Sequence, residues 1–142
     1  MAEMDEYLKT TSDSMAGMIL YVEDNLSNIK LMEKIVARLP GVKLVSAMQG
    51  RMAMDLARQH KPRLILLDVN LPDVNGVEVL HWLRADPETK DIPVVVMSAD
   101  AMPSQIERML ASGARSYLTK PIDVKGFLRT LNEMLNGENA KE

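Results

Sequence analysis

The sequence predicts an α/β fold: a doubly wound, five-stranded parallel sheet in the strand order 2-1-3-4-5, covered by helices on both faces. Two observations carry this prediction. Five short apolar runs alternate with five helical patterns at intervals of about 20 to 25 residues, which is typical of strand–helix units in a parallel sheet. Several of the runs are almost continuously apolar, as expected for strands that are buried on both faces.

The first unit begins with an apolar strand over 18–22, which ends in the polar residues Glu23, Asp24 and Asn25. A helical period of apolar residues follows and is closed by a Pro-Gly pair. Residues 1–17, before this strand, are polar and have no settled period. They are therefore expected to form a mobile leader.

The second unit pairs a strand over 42–47 with a helix that stops before Pro62. The third strand, over 63–67, is the most continuous apolar run, and Asp68 follows it directly. The segment LPDVNG at 71–76 then turns the chain toward a third helix, because Pro fixes φ and Asn-Gly tolerates a positive φ.

The fourth strand is predicted over 92–97, with Ser98 at its end, and the helix that follows is stopped by Gly113. A short fifth strand over 115–119 ends in Lys120. The last helix carries a clean amphipathic stripe, and this places one domain at 18–136 and a polar tail at 137–142.

Composition narrows the possible functions. The net charge is −3 and the pI about 5.4, so no global field attracts nucleic acid, and direct nucleic-acid binding is disfavoured. The chain has no Cys, which excludes disulfides and thiolate sites. It also has no apolar run long enough to span a bilayer, so no membrane contact is expected and the predicted location is the cytoplasm.

The strand ends bring the chemistry together. All carboxyl ends of parallel strands lie at one edge of the sheet, so Glu23, Asp24, Asp68, Ser98 and Lys120 are expected to converge there. Clustered carboxylates favour a hard cation, and oxygen ligands without His or Cys suit Mg²⁺. A lysine and a hydroxyl can hold the oxygens of a phosphoryl group, and an Asp carboxylate can carry one as an acyl phosphate.

The strand-end motifs resemble those of a known family, the CheY-like receiver domain of two-component response regulators, over nearly the whole chain after the leader. The four motifs are YVEDN at 21–25, LILLDVNLPDVNG at 64–76, VVVMSAD at 94–100 and YLTKP at 117–121. Each motif alone is weak, but together, in this order and spacing, they are specific. The resemblance implies a flavodoxin-like fold and a signalling module that performs no turnover of an external substrate.

The resemblance also implies site residues. Asp68 would accept a phosphoryl group from a phosphohistidine of a histidine kinase or a histidine phosphotransfer protein. Mg²⁺ would be held by Asp24, Asp68 and the backbone carbonyl of Asn70, with Glu23 acting through metal-bound water. Lys120 would pair with the phosphoryl oxygens.

A switch is implied in the same way. Ser98 would be drawn to the phosphoryl group and Tyr117 would turn inward behind it, changing the surface offered to a downstream protein target. Asn70 and Asp100 would tune the lifetime of the phosphoryl group. The Lys120–Pro121 bond would be cis.

Two other functions fit these residues less well than a phospho-switch does. A phosphohydrolase with an aspartyl-phosphate intermediate would need a second acid two residues after Asp68, and Asn70 cannot transfer a proton in that way. A receiver-like scaffold that is never phosphorylated would not need the complete set of acids, hydroxyl and lysine. The sequence does not determine the oligomeric state, the partner kinase, or whether the domain is freestanding or part of a hybrid kinase.

Overall fold

A computed structural model describes the backbone of residues 17–141 and the side chains of residues 17–135. Its five strands form one parallel sheet in the order β2-β1-β3-β4-β5. The strands are β1 (Gly17–Val22), β2 (Val42–Ala47), β3 (Leu64–Asp68), β4 (Val94–Ser98) and β5 (Ser116–Thr119). The predicted fold class and strand order are therefore confirmed.

Helices cover both faces of this sheet. They are α1 (Leu26–Val36), α2 (Gly50–His60), α3 (Gly76–Ala85), α4 (Pro103–Ala111) and α5 (Val124–Lys141). One core contains Ile19 and Tyr21 of β1 with residues of α1 and α5, and the other contains Leu20 and Val22 with residues of α2, α3 and α4. This division follows from the strand pleat, which turns successive side chains to opposite faces. Along residues 17–141, no helix has the combined length and apolarity needed to cross a membrane.

Some boundaries differ from the prediction. Strand β4 begins at Val94 rather than at 92, because Pro93 has no N–H for the ladder and the amide of Ile92 closes a turn onto Thr89. Strand β5 begins at Ser116 rather than at 115. In α4 only Met109 is buried, whereas its neighbour Leu110 is 43% exposed.

The two ends of the predicted domain meet the structure differently. Strand β1 begins at Gly17, and the rest of the predicted leader lies outside the described residues. Helix α5 continues to Lys141, so the segment predicted as a polar tail, 137–142, begins within a helix. The domain limits of 18 and 136 remain predictions.

Strand register decides which residues meet at the carboxyl edge. Val22 of β1 is level with Leu67 of β3, so the next residues, Glu23 and Asp68, are neighbours across the two strands. Asp68 is in turn level with Met97 of β4. These pairings place the acids of two strands at the switch point, where the chain turns to opposite sides of the sheet.

Candidate functional site

Three carboxylates meet at the carboxyl edge of the sheet. Glu23, Asp24 and Asp68 each offer an oxygen atom, and these atoms all lie within 4.8 Å of one another. Glu23 is 1% exposed and Asp68 4% exposed, whereas Asp24 lies at the surface. The cluster is therefore anchored inside the fold and open to solvent on one side.

Lys120 bridges the two buried acids. Its Nζ lies 3.2 Å from Asp68 Oδ2 and 3.4 Å from Glu23 Oε1. Strand β5 ends at the preceding residue, and the Lys120 amide donates to the carbonyl of Ser98 at the end of β4. One ammonium group thus faces two carboxylates, and the site keeps an excess of negative charge.

Glu23 has a dense set of donors. Its Oε1 accepts from the Tyr21 hydroxyl and from Asn28 Nδ2, each at 3.1 Å. Its Oε2 accepts from the backbone amides of Asp24, at 3.1 Å, and Asn25, at 3.2 Å. Sequence reasoning missed the contacts of Tyr21 and Asn28 with Glu23. A signal was present for Tyr21, since residues two apart on a strand share a face.

These surroundings shift the pKa values of the two buried acids in opposite directions. Burial, reinforced by the neighbouring Glu23, raises the pKa of Asp68 from 3.8 to about 6. Burial also opposes the charge of Glu23, but hydrogen bonding with Asp68, the charge of Lys120 and the donors from Asn25 and Asn28 outweigh it and lower the pKa of Glu23. Glu23 is therefore the more easily ionised acid of the pair, and Asp68 is the acid whose charge is less well compensated.

The loop after β3 fixes the position of Asp68. The Asn70 amide donates to Asp68 Oδ1 at 3.2 Å, and the amide of Gly76 donates to the carbonyl of Val69 at 2.9 Å. Gly76 is required by this close approach, because a Cβ there would lie 2.7 Å from Val69 Cα and 2.8 Å from the Asp68 carbonyl oxygen. The Asn75 side chain caps α3 by accepting from the Val77 amide.

Asp73 ties the same loop to a second helix. Its two carboxylate oxygens accept from the amides of Gly50, at 2.8 Å, and Arg51, at 3.0 Å, at the start of α2. Gln49, the residue before this helix, provides no side-chain cap, so Asp73 satisfies amides that the local sequence leaves open. The loop that carries Asn70 is therefore held at both ends.

The residues predicted to form the switch lie on β4, β5 and the loop between β4 and α4. Ser98 is buried at the end of β4, and its Oγ accepts from the amide of Asp100 at 3.0 Å. The Tyr117 hydroxyl donates to the Asp100 carbonyl at 2.7 Å, and Asp100 Oδ1 accepts from the Met102 amide at 2.9 Å. The Lys120–Pro121 bond is cis, as the motif implied.

The donor set fits a hard divalent cation. Three carboxylates supply oxygen atoms, and the backbone carbonyl of Asn70 belongs to the loop that Asp68 Oδ1 anchors. Oxygen-only sites of this kind favour Mg²⁺ over Zn²⁺. A cation would also relieve the excess negative charge that the single ammonium of Lys120 leaves.

A doubly wound parallel sheet with buried acids and a lysine at its switch point defines the receiver class of signalling modules. The family model described as "response regulator receiver domain" matches residues 19–132. The chain belongs to this family, whose receiver domains accept phosphoryl groups in two-component signalling and are signalling modules rather than classical enzymes.

Relatives of known identity agree with this assignment. The chain is 40% identical over 121 residues to the polar-differentiation response regulator DivK of Brucella anthropi, an alignment that covers 85% of this chain and 98% of that protein. The receiver domain of the sensor histidine kinase PA1611 of Pseudomonas aeruginosa superposes with a TM-score of 0.77 at 27% identity, covering 85% of this chain and 98% of that one. That domain holds a magnesium ion in its active-site cleft.

The chemotaxis response regulator CheY4 of Vibrio cholerae is also similar in structure. It superposes with a TM-score of 0.77 at 25% identity, covering 84% of this chain and 98% of that one. Receiver domains in general bind Mg²⁺ and interact with histidine kinases and downstream targets.

Proposed function

We propose that Asp68 is the phosphoryl acceptor of this receiver domain. The observation that carries the proposal is its environment: a buried carboxylate, bonded to one backbone amide and one lysine, at the mouth of an acidic cluster. Burial raises the free energy of the ionised carboxylate. Forming a bond to phosphorus or binding a cation neutralises that charge and is therefore favoured. Glu23, with its charge fully hydrogen-bonded, is a poorer nucleophile.

The transfer step assigns a role to each residue. A carboxylate oxygen of Asp68 forms a bond to phosphorus, while the bond from phosphorus to the donor's imidazole nitrogen breaks and its electron pair stays on that nitrogen. The ammonium of Lys120, already 3.2 Å from Asp68, pairs with the phosphoryl oxygens. The Ser98 hydroxyl, at the end of the adjacent strand, is proposed to donate to another of them.

Asp24, Asp68 and the backbone carbonyl of Asn70 would hold Mg²⁺, with Glu23 oriented toward its water ligands. When bound, the ion supplies positive charge that offsets the negative charge of the phosphoryl oxygens. The closeness of the three carboxylates supports this assignment, as does the magnesium ion in the Pseudomonas receiver domain.

Incubation with acetyl phosphate and Mg²⁺, followed by intact-protein mass spectrometry, tests the acceptor. We expect a mass gain of one phosphoryl group that Asp68→Asn abolishes. The matched control is Asp55→Asn, which makes the same chemical change on an acid whose side chain is 83% exposed. Phosphorylation that persists in Asp68→Asn would assign the acceptor elsewhere.

The donor protein is proposed to be a histidine kinase or a histidine phosphotransfer protein that docks beside α1. A largely apolar cavity of about 450 Å³ opens there between α1 and the loop after β5, and Lys120 and Leu31 both line it. Leu31 is 56% exposed and extends the apolar lining of this cavity to the surface of α1, where a partner could cover it. This places an apolar docking surface next to the reacting groups.

Leu31→Arg tests the docking surface. We expect transfer from a phosphorylated phosphotransfer protein to slow severalfold, because an arginine disturbs the apolar contact. Phosphorylation by acetyl phosphate should stay unchanged, since the small donor needs no docking. Equal loss with both donors would show that the substitution damages the site itself.

The output is proposed to pass through Ser98 and Tyr117 to a downstream protein target. In this structure Tyr117 holds the Asp100 carbonyl, so an inward turn of Tyr117 would release the loop after β4. Asn70 and Asp100 are proposed to set the phosphoryl lifetime, as positions that adjoin the acceptor and the hydroxyl. The cytoplasmic location expected from the sequence stays a prediction.

A further inference from the structure

We propose that Tyr21 and Asn28 are positioning residues that hold the Glu23 carboxylate in place for Mg²⁺ binding at the acceptor site. The inference rests on the proposed function. Both side chains reach the same oxygen, Glu23 Oε1, at 3.1 Å, one from β1 and one from α1. Neither residue belongs to the set that carries the phosphoryl or metal chemistry itself.

Tyr21 is a core residue whose hydroxyl forms a hydrogen bond. Its ring is 2% exposed and packs in the core between the sheet and helices α1 and α5. A phenylalanine would occupy the same space, so packing does not require the hydroxyl. A buried hydroxyl needs a partner, and Glu23 is the partner this one has. Burial, together with the charge of Glu23, raises the pKa of Tyr21, which therefore remains a donor.

Asn28 is placed by the start of α1. Its backbone amide donates to the Asn25 side chain at 2.9 Å, which caps the helix and fixes the first turn. From that turn, the Asn28 amide group points back to Glu23. Asn28 therefore lies on the helix that follows Glu23, and Tyr21 lies on the strand that precedes it.

Two fixed donors on one oxygen have a consequence for Lys120. Its Nζ also contacts Glu23 Oε1, at 3.4 Å, but lies closer to Asp68, at 3.2 Å. Because Tyr21 and Asn28 already satisfy that oxygen, the ammonium remains shared with Asp68. Without them, Glu23 would draw Lys120 away or leave its own position, since a glutamate has one more rotatable bond than an aspartate.

Titration of the ¹⁵N-labelled protein with Mg²⁺, followed by amide chemical shifts, measures the effect. We expect Tyr21→Phe and Asn28→Ala each to raise the Mg²⁺ dissociation constant by roughly 10-fold, the lower end of the range for residues that orient metal ligands. The matched control is Thr89→Val, which also deletes a fully buried hydroxyl, bonded here to the Leu83 carbonyl. It should lower stability and leave Mg²⁺ affinity unchanged.

A Glu23→Ala background separates positioning from packing. There, Tyr21→Phe should no longer change the Mg²⁺ dissociation constant, because its action passes through Glu23. Two results would overturn this inference and leave the proposed function intact. One is an equal loss of Mg²⁺ affinity on Tyr21→Phe with and without Glu23. The other is an unchanged Mg²⁺ affinity in both single variants while the unaltered chain binds Mg²⁺. An unaltered chain that neither binds Mg²⁺ nor is phosphorylated would overturn the proposed function as well.

Discussion

Two groups of ion pairs in this molecule show that distance does not decide what an acid can do. On the surface between α2 and α3, Arg58 Nε lies 2.6 Å from Asp86 Oδ2. In the acidic pocket, Lys120 Nζ lies 3.2 Å from Asp68 Oδ2. The backbone amide of Glu88 and the guanidinium of Arg58 lower the pKa of Asp86. The pKa of Asp68, by contrast, rises to about 6 although Lys120 lies beside it.

The difference comes from burial and from the neighbours of like charge. Asp68 has lost most of its hydration and faces Glu23, and one shared ammonium does not compensate for both. The Asp86 side chain keeps some contact with water, at 14% exposed, and is matched by the Arg58 guanidinium and the Glu88 amide with no buried acid beside it. A surface ion pair therefore steadies the fold slightly, whereas the pocket stores an unfavourable charge that bond formation or a cation can relieve.

Replacing Lys120 of the pocket, and for comparison the surface lysine Lys61, gives the largest expected contrast. Lys120→Met should slow phosphorylation by acetyl phosphate about 100-fold, because it removes a positive group aimed at the developing charge. Lys61→Met, which breaks the surface pair with Glu88, should leave the rate unchanged. Time courses of the phosphoryl mass gain at saturating Mg²⁺ measure both. A rate in Lys120→Met close to that of the unaltered protein would remove the lysine from the reaction.

Replacing the acid of each group should change stability in opposite directions. In the metal-free protein, Asp68→Asn should raise the free energy of unfolding at pH values well above 6 by about 3 kcal/mol. The raised pKa means that the protonated form of Asp68 stabilises the fold below 3.8 and that this contribution is lost as pH rises through about 6. The variant avoids that loss, so the difference should vanish at acidic pH.

Asp86→Asn provides the opposite sign. The pKa of Asp86 is lowered in the folded state, so its ionised form contributes stability above its unfolded pKa, and that contribution is lost as pH falls. The variant should therefore be less stable than the unaltered protein at neutral pH. Urea unfolding in a chelator at several pH values measures both variants. Two changes of the same sign would contradict the assignment of burial as the cause.

The sequence alone was sufficient for the fold and for where the strand-end residues lie. Apolar runs that alternate with helical periods leave few topologies, and in a parallel sheet every strand end falls at one edge. That is why Glu23, Asp68 and Lys120, far apart in the chain, could be expected to meet. The register then set their separations, which residue patterns do not encode.

What the sequence did not provide depends on tertiary packing. Tyr21 could be assigned to the core face of a strand, but its hydrogen bond with Glu23 depends on how far each side chain reaches. In α4, Met109 is buried and Leu110 is 43% exposed, although both are apolar and adjacent, because the orientation of the helix on the sheet decides which of them faces the core. Burial depth, which raises the pKa of Asp68, likewise appears only when the chain is folded.

Arg58→Gln should change stability least among these variants, and it shows how much a surface ion pair contributes to folding. It removes the charge that faces Asp86 and, more distantly, Asp55, and Asp86 keeps its bond from the Glu88 amide. We expect a slight fall in the urea midpoint at low salt that disappears in molar salt, because exposed charges are screened there. Phosphorylation should be unaffected. A salt-independent loss would mean that the Arg58 stem, which lines a groove with Trp82, matters through packing rather than charge.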